Sequence, residues 1–137
     1  MESFDYITGM HALNFHEPSD KTSGDWHGAI WDVAKPLVRN TSDSAFGDEG
    51  IREPAGGERC QGMRVAGHAR AILDMLELGM TSQLLGFSDD WLDGNEAEVD
   101  AVMRGALRLK CLPHWDAIDS LMSRELGSLW IMRKVLR

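Results

Sequence analysis

An α+β fold is the reading that this 137-residue sequence supports: a small N-terminal antiparallel sheet with long loops, packed on three C-terminal α-helices. Three observations carry it. A length of 137 residues with 43% hydrophobic side chains suits a single domain spanning 1–137, since two domains would each have a small and marginal core. Aliphatic residues after position 62 recur at three- and four-residue steps, the spacing of one helical face. Before it, short alternating runs, Gly, Ser and Thr clusters and three of the four prolines take over. The chain therefore divides into a β- and loop-rich half, 1–62, and a helical half, 63–137.

In chain order, Phe4–Ile7, Ala12–Phe15 and Ala29–Val33 each alternate over a length that suits a strand of about five residues. Trp26–Lys35 is too short to separate the helical from the strand period. Arg39 to Gly62 has hardly any apolar pattern. Loops beyond ~12–15 residues in compact domains are usually functional or disordered, so this stretch needs an explanation. A helix is expected from about Val65 to Leu85, with Ile72, Leu73, Leu76 and Met80 on one face and Gly79 placed to end it. A short apolar turn, Gln83–Phe87, follows. Asn95 suits the N-cap of the next helix, with Glu98 three residues on and Glu96 near the positive end of the dipole. Val99, Val102, Met103, Ala106 and Leu107 form its buried stripe. Leu112-Pro113 breaks the chain. One last helix is expected from Pro113 or His114 to the end, with Trp115, Ile118, Met122, Leu126, Leu129 and Trp130 along one side. Arg133, Lys134 and Arg137 sit where its negative end favours cations.

Charge narrows the function classes. With 22 acidic and 14 basic side chains the net charge is −8, which opposes direct nucleic-acid binding and docking on anionic lipid but suits a basic protein partner. Residues 1–62 carry −6 of that (11 acids, 5 bases) and residues 63–137 carry −2 (11 acids, 9 bases). No window approaches the ~18 apolar residues of a membrane helix. The first residues have neither the basic nor the apolar region of a secretory signal, so a cytoplasmic location is expected. In that reducing setting Cys60 and Cys111, which show no metal-ligand spacing, are expected to be free thiols, with Cys111 a core residue.

Four places hold residues that could carry chemistry. His11, His16, Asp25 and His27 form the densest polar cluster. Asp25 and His27 would share one face of a strand, where a carboxylate and imidazoles could ligate zinc or act as an acid–base pair in a hydrolase or nuclease. The plainer reading has Asp25 closing a turn and His27 hydrogen-bonded locally. Asp48 and Glu49 stand between glycines in Phe46–Gly50, as an acidic recognition loop or a simple turn; the pattern of a calcium loop is missing. Cys60 follows Arg59, but neither cysteine has a histidine at a telling offset, and no nucleophile elbow occurs. Last, Asp89, Asp90, Asp93, Glu96, Glu98 and Asp100 crowd around Trp91-Leu92 without a compensating base. Such a run reads either as a solvated loop or as an aromatic anchor ringed by acids that steer a basic partner. A buried Trp91 would exclude the anchor.

Several stretches, taken together, carry a resemblance: Ala12-Leu13-Asn14, Ser23-Gly24-Asp25-Trp26-His27, Ala29-Ile30-Trp31-Asp32, Phe46–Ile51, Arg70–Asp74, Gly86–Trp91 and Trp115–Asp119. The chain resembles, over most of its length, a group of small bacterial proteins with an SGDWH stretch and a helical C-terminal half. That resemblance implies association with toxin-like genes, and so an antitoxin or phage-defence accessory. It carries over no catalytic residue. The expectation is thus a non-catalytic, acidic antitoxin without a cofactor. It would cover a basic toxin's cleft with Trp91, Asp89, Asp90, Asp93, Asp48 and Glu49, and a homodimer paired through the last helix is open. The alternative is the metal-dependent hydrolase or nuclease of His11, His16, Asp25 and His27.

Overall fold

A computed structural model describes residues 3–13, 37–52 and 64–136. Its architecture is α+β: a three-stranded sheet on the N-terminal side and a set of helices after it. The central strand β1 (Asp5–Thr8) is the apolar run around Tyr6 and Ile7, and three of its four residues are buried. On one side it pairs antiparallel with β2 (Leu37–Asn40), in the register Asp5 to Asn40 through Thr8 to Leu37. On the other it pairs parallel with β3 (Arg64–Val65), Tyr6 opposite Arg64 and Ile7 opposite Val65. The sheet is thus mixed rather than purely antiparallel. Parallel neighbours need a long crossover, and β2 with the chain that follows it lies between β1 and β3 in sequence.

Helix α1 (Gly9–Leu13) follows β1 directly, so Ala12 and Leu13 end a helical turn where alternation had suggested a strand. Both are buried, which a single helical turn achieves as well as a strand does. The other two expected strand residues of that run, and all of Ala29–Val33, lie outside the described residues. Helix α2 (His68–Glu77) begins three residues later than periodicity suggests, because Arg64 and Val65 are taken by β3. It stops at Leu78-Gly79, where the sequence placed a terminator. Apart from Ala69 and Glu77 its side chains are buried, so it is the central helix of the fold.

After a 3-10 turn at Thr81–Leu84, a π-helical turn spans Ser88–Leu92. Helix α3 (Glu96–Leu107) is capped as expected: Asn95 Oδ1 accepts the Glu98 backbone N–H at 3.1 Å. It lies close against α2. A Cβ built on Gly105 would come within 2.5 Å of Leu73 Cδ1, so the approach of the two helices depends on that glycine.

The final stretch is two helices, α4 (Trp115–Leu126) and α5 (Ser128–Leu136), rather than one. Gly127 separates them with φ +55° and ψ −127°, a conformation open to glycine and costly for other residues. The break turns Leu129 outward, while Trp130 is fully buried beside Trp115, with ring centroids 6.2 Å apart. Cys111 is a free thiol and exposed, which corrects its expected core position: it lies in the turn between α3 and α4, where only Leu109 is buried and Leu112 partly so. Cys60 lies outside the described residues. One apolar core runs through the described elements, from Tyr6, Ile7 and Leu13 through Ile72 and Leu76 to Phe87, Ile118 and Trp130. No helix among the described residues is long and apolar enough to cross a membrane.

The stretch after β2, described as far as Arg52, is held largely by charge, with Phe46 as a buried apolar anchor, which is why its hydropathy was uninformative. Asp74, fully buried on α2, accepts from Tyr6 Oη (2.8 Å) and Thr8 Oγ1 (2.7 Å) with one oxygen. Its other oxygen accepts from Arg39 Nη1 (2.9 Å) and Arg70 Nε (3.1 Å). Glu77 accepts from the same Arg39 nitrogen (3.0 Å), from Ser44 Oγ and from the Ala45 backbone N–H. Arg70 then donates to the backbone carbonyls of Gly47 (2.7 Å) and Glu49 and to Tyr6 Oη (2.9 Å). Two guanidiniums meet two carboxylates, so the cluster is neutral, and carbonyls and hydroxyls take up its remaining donors. A buried charge is tolerable only when paired and hydrogen-bonded in this way.

Candidate functional site

The acidic run occupies a corner tied down by hydrogen bonds. Its π-helical turn closes with the Asp93 N–H donating to the Ser88 carbonyl at 2.9 Å, and the wider turn sends two consecutive side chains, Trp91 and Leu92, inward. From below, His68 Nδ1 meets the Trp91 carbonyl at 2.9 Å. From the side, the Glu125 carboxylate accepts the backbone N–H groups of Gly86 (3.0 Å) and Ser88 (3.4 Å). Asp93 sits in the left-handed region at φ +45°, which a short polar side chain tolerates, and hands the chain to the Asn95 cap.

Asp89, Asp90, Asp93 and Glu96 are exposed on this corner, and Glu98 is half-buried. None of the five carboxylates makes an ion pair among the described residues. Asp100, the sixth, is different: it takes Arg104 Nε at 2.7 Å and also Arg133. Trp91 does not serve as the aromatic anchor the sequence suggested. It is 8% exposed and belongs to the core, with its indole N–H buried and without an acceptor among the described residues. The physical reason is the π-helical turn, which gives the apolar pair to the interior and leaves the surface to the acids.

Asp48 and Glu49 lie on the exposed turn after Phe46, held by Arg70 through backbone carbonyls. Asp48 has no ion pair among the described residues. Glu49 pairs with Arg108 Nη1 at 2.7 Å, and Arg108 also donates to the Ala45 carbonyl and stacks over the Phe46 ring at 5.0 Å. A cleft of about 290 Å³ opens beside this pair, between the turn, α2 and α3. It is walled by Phe46, Leu73, Gly105 and three ion-paired arginines, Arg70, Arg104 and Arg108. Glu49 is therefore engaged within the chain, while Asp48 has no ion pair among the described residues.

His16, Asp25 and His27 of the expected metal cluster lie outside the described residues, and His11 falls in α1. Among the described residues no group of three or more His, Cys, Asp or Glu side chains converges as a metal site would. His68 and His114 each meet a backbone carbonyl. His68 is buried against Trp91, and His114 Nε2 meets the Leu76 carbonyl at 2.8 Å.

What sequence reading missed is the Asp74 cluster. Burial first, and then the Asp74 carboxylate, push the Tyr6 phenol up to about 12 from 10.0, so it stays protonated and acts as a fixed donor rather than as an acid near neutral pH. For Arg39, burial pulls the pKa down, but the Glu77 hydrogen bond and the Asp74 charge outweigh it and hold the guanidinium above its usual value. One signal was present: Arg70 and Asp74 are spaced i, i+4 within the apolar run of that helix, where buried charges need partners. Arg39 and Tyr6, 35 and 68 residues away, had no local signature. Comparison with protein-family models, curated proteins and solved structures finds no match for this chain.

Proposed function

We propose that the protein is a non-catalytic acidic module that binds and restrains a basic protein partner, in the manner of an antitoxin covering its toxin's cleft. One observation carries this reading: an ordered corner holds Asp89, Asp90, Asp93, Glu96 and Glu98 with no ion pair among the described residues. Like charges gathered on a fixed backbone repel one another, and a partner's lysines and arginines would relieve that repulsion while steering the encounter. Asp48 adds a further exposed acid outside that corner. In this reading affinity comes from many charge contacts rather than from an aromatic hot spot, because Trp91 is in the core. Such a module would act in the cytoplasm, and toxin–antitoxin or phage-defence gene pairs are the setting that suits it.

The test is co-expression with the product of an adjoining gene, followed by calorimetry at two salt concentrations. A basic partner should bind more weakly at high salt, and the D89N/D90N/D93N variant should lose most of the salt-dependent part. If the partner arrests growth, the native chain should relieve the arrest and the variant should not. Binding that is indifferent to both salt and the three substitutions would reject the reading.

A further inference from the structure

Helix α5 is amphipathic in the wrong sense for a helix lying alone on a surface. Trp130 faces the interior, and its indole N–H donates to Asp119 Oδ1 at 2.7 Å. The two cations flank that buried ring: Lys134 Nζ reaches Asp119 at 2.8 Å, and Arg133 pairs with Asp100. The outward side is left to Leu129, Ile131, Met132 and Val135, which are 56%, 54%, 58% and 76% exposed. At 100° per residue, Ile131, Met132 and Val135 form one strip opposite Trp130, with Leu129 at its edge. Contiguous exposed apolar strips rimmed by polar groups mark interaction surfaces rather than ordinary solvent-facing helix.

We propose that this strip is a homodimer interface, with α5 of one copy packed on α5 of a second about a two-fold axis. The charges around it select a second copy over the basic partner proposed above. The strip itself carries no charge. Its rim presents both signs, Arg133 and Lys134 beside Asp100 and Asp119, and all four are partly solvent-accessible. A two-fold axis brings the same patch onto itself, so a neutral centre meets a neutral centre and a rim whose charges are already paired meets its like without net repulsion. With two cations matched by two carboxylates, the rim offers a basic protein no net attraction, and the acidic corner at 88–98 offers it a better landing. The proposal stands apart from that corner's function, since no residue of the strip belongs to it.

Sedimentation equilibrium of the full chain, run up to its highest soluble concentration, tests it. The native protein should associate reversibly to twice the chain mass. V135E and M132E should each weaken that association about tenfold or more. M132K separates lost apolar contact from added repulsion between acidic chains, because it should weaken the dimer as well. All three side chains replace exposed ones, so far-ultraviolet circular dichroism should be unchanged, and V135E and M132E at separate positions guard against a local folding defect. A native chain that stays monomeric throughout, self-association undiminished in V135E and M132E, or a monomer whose strip is covered instead by a different protein would each overturn the proposal.

Discussion

The buried carboxylate of Asp74 and the exposed carboxylates at 89–93 belong to one chain and are treated in opposite ways. Around Asp74 every oxygen is used: Tyr6, Thr8, Arg39 and Arg70 converge on it, and the turn after β2 hangs from the same cluster. Around Asp89, Asp90 and Asp93 the backbone is tied down by Glu125, His68 and Asn95, yet the acids themselves have no ion pair among the described residues. Where charge is structural, the fold surrounds it with donors. Where the fold fixes the backbone but leaves the charge alone, the charge is available to something else. That difference is the ground on which we propose the 88–98 corner as the surface that meets a partner.

The comparison can be broken most forcefully at its buried end. Asp74→Ala leaves Arg39 and Arg70 without their shared carboxylate, and removing one partner of a buried pair costs ~3–5 kcal/mol. Urea unfolding followed by tryptophan fluorescence should show that loss, and a variant within ~1 kcal/mol of the native chain would mean that the cluster is not what holds the turn. A smaller loss is expected where α2 and α3 meet. Gly105→Ala must push Leu73 aside, and overpacking of this kind costs ~1–3 kcal/mol. At the acidic corner, Asn95→Ala removes the cap of α3 for ~1 kcal/mol, measurable as a lower thermal midpoint.

Alkaline titration sharpens the same contrast. Tyr6 is the sole tyrosine, so tyrosinate absorbance reads it alone. Its folded pKa is raised, from 10.0 to about 12, by burial and then by Asp74. The stabilising contribution is therefore complete below pH 10 and is lost as pH rises toward 12. The phenol should ionise late, and together with unfolding. An early titration near 10 in the folded protein would contradict its place in the cluster. On the acid side the smallest effect is expected at Asp119, held below the usual carboxylate range by hydrogen bonds from Lys134 and Trp130. That contribution is present above the unfolded value and fades as pH falls through the lower folded one. Asp119→Asn should make the acid limb of stability slightly shallower.

Much of the helical half was legible because it obeys local rules. Asn95 caps where an N-cap with Glu98 three residues on suggested it, Leu78-Gly79 stops α2, and Val102, Met103 and Ala106 are buried as their spacing implies. The failures have non-local causes. Gly127 divides the last helix because it takes a left-handed φ that spacing alone does not reveal. Trp91 turns inward because a π-helical turn shifts its side chain from where an exposed loop would present it. The turn after β2 is ordered by residues as distant as Tyr6 and Asp74, and no window of sequence holds both. The acids at 89–93 were visible as a run. That they lack ion pairs within the described fold was not.

The most direct measurement is equilibrium unfolding of D89N/D90N/D93N beside D74N. Carboxylates kept for a partner contribute nothing to the fold, and neutralising them relieves repulsion. The triple variant should therefore match or slightly exceed native stability, within ~0.5 kcal/mol, while D74N falls well below it. A triple variant destabilised as severely as D74N would show that the corner's acids are structural, and would remove the ground for assigning them to a partner.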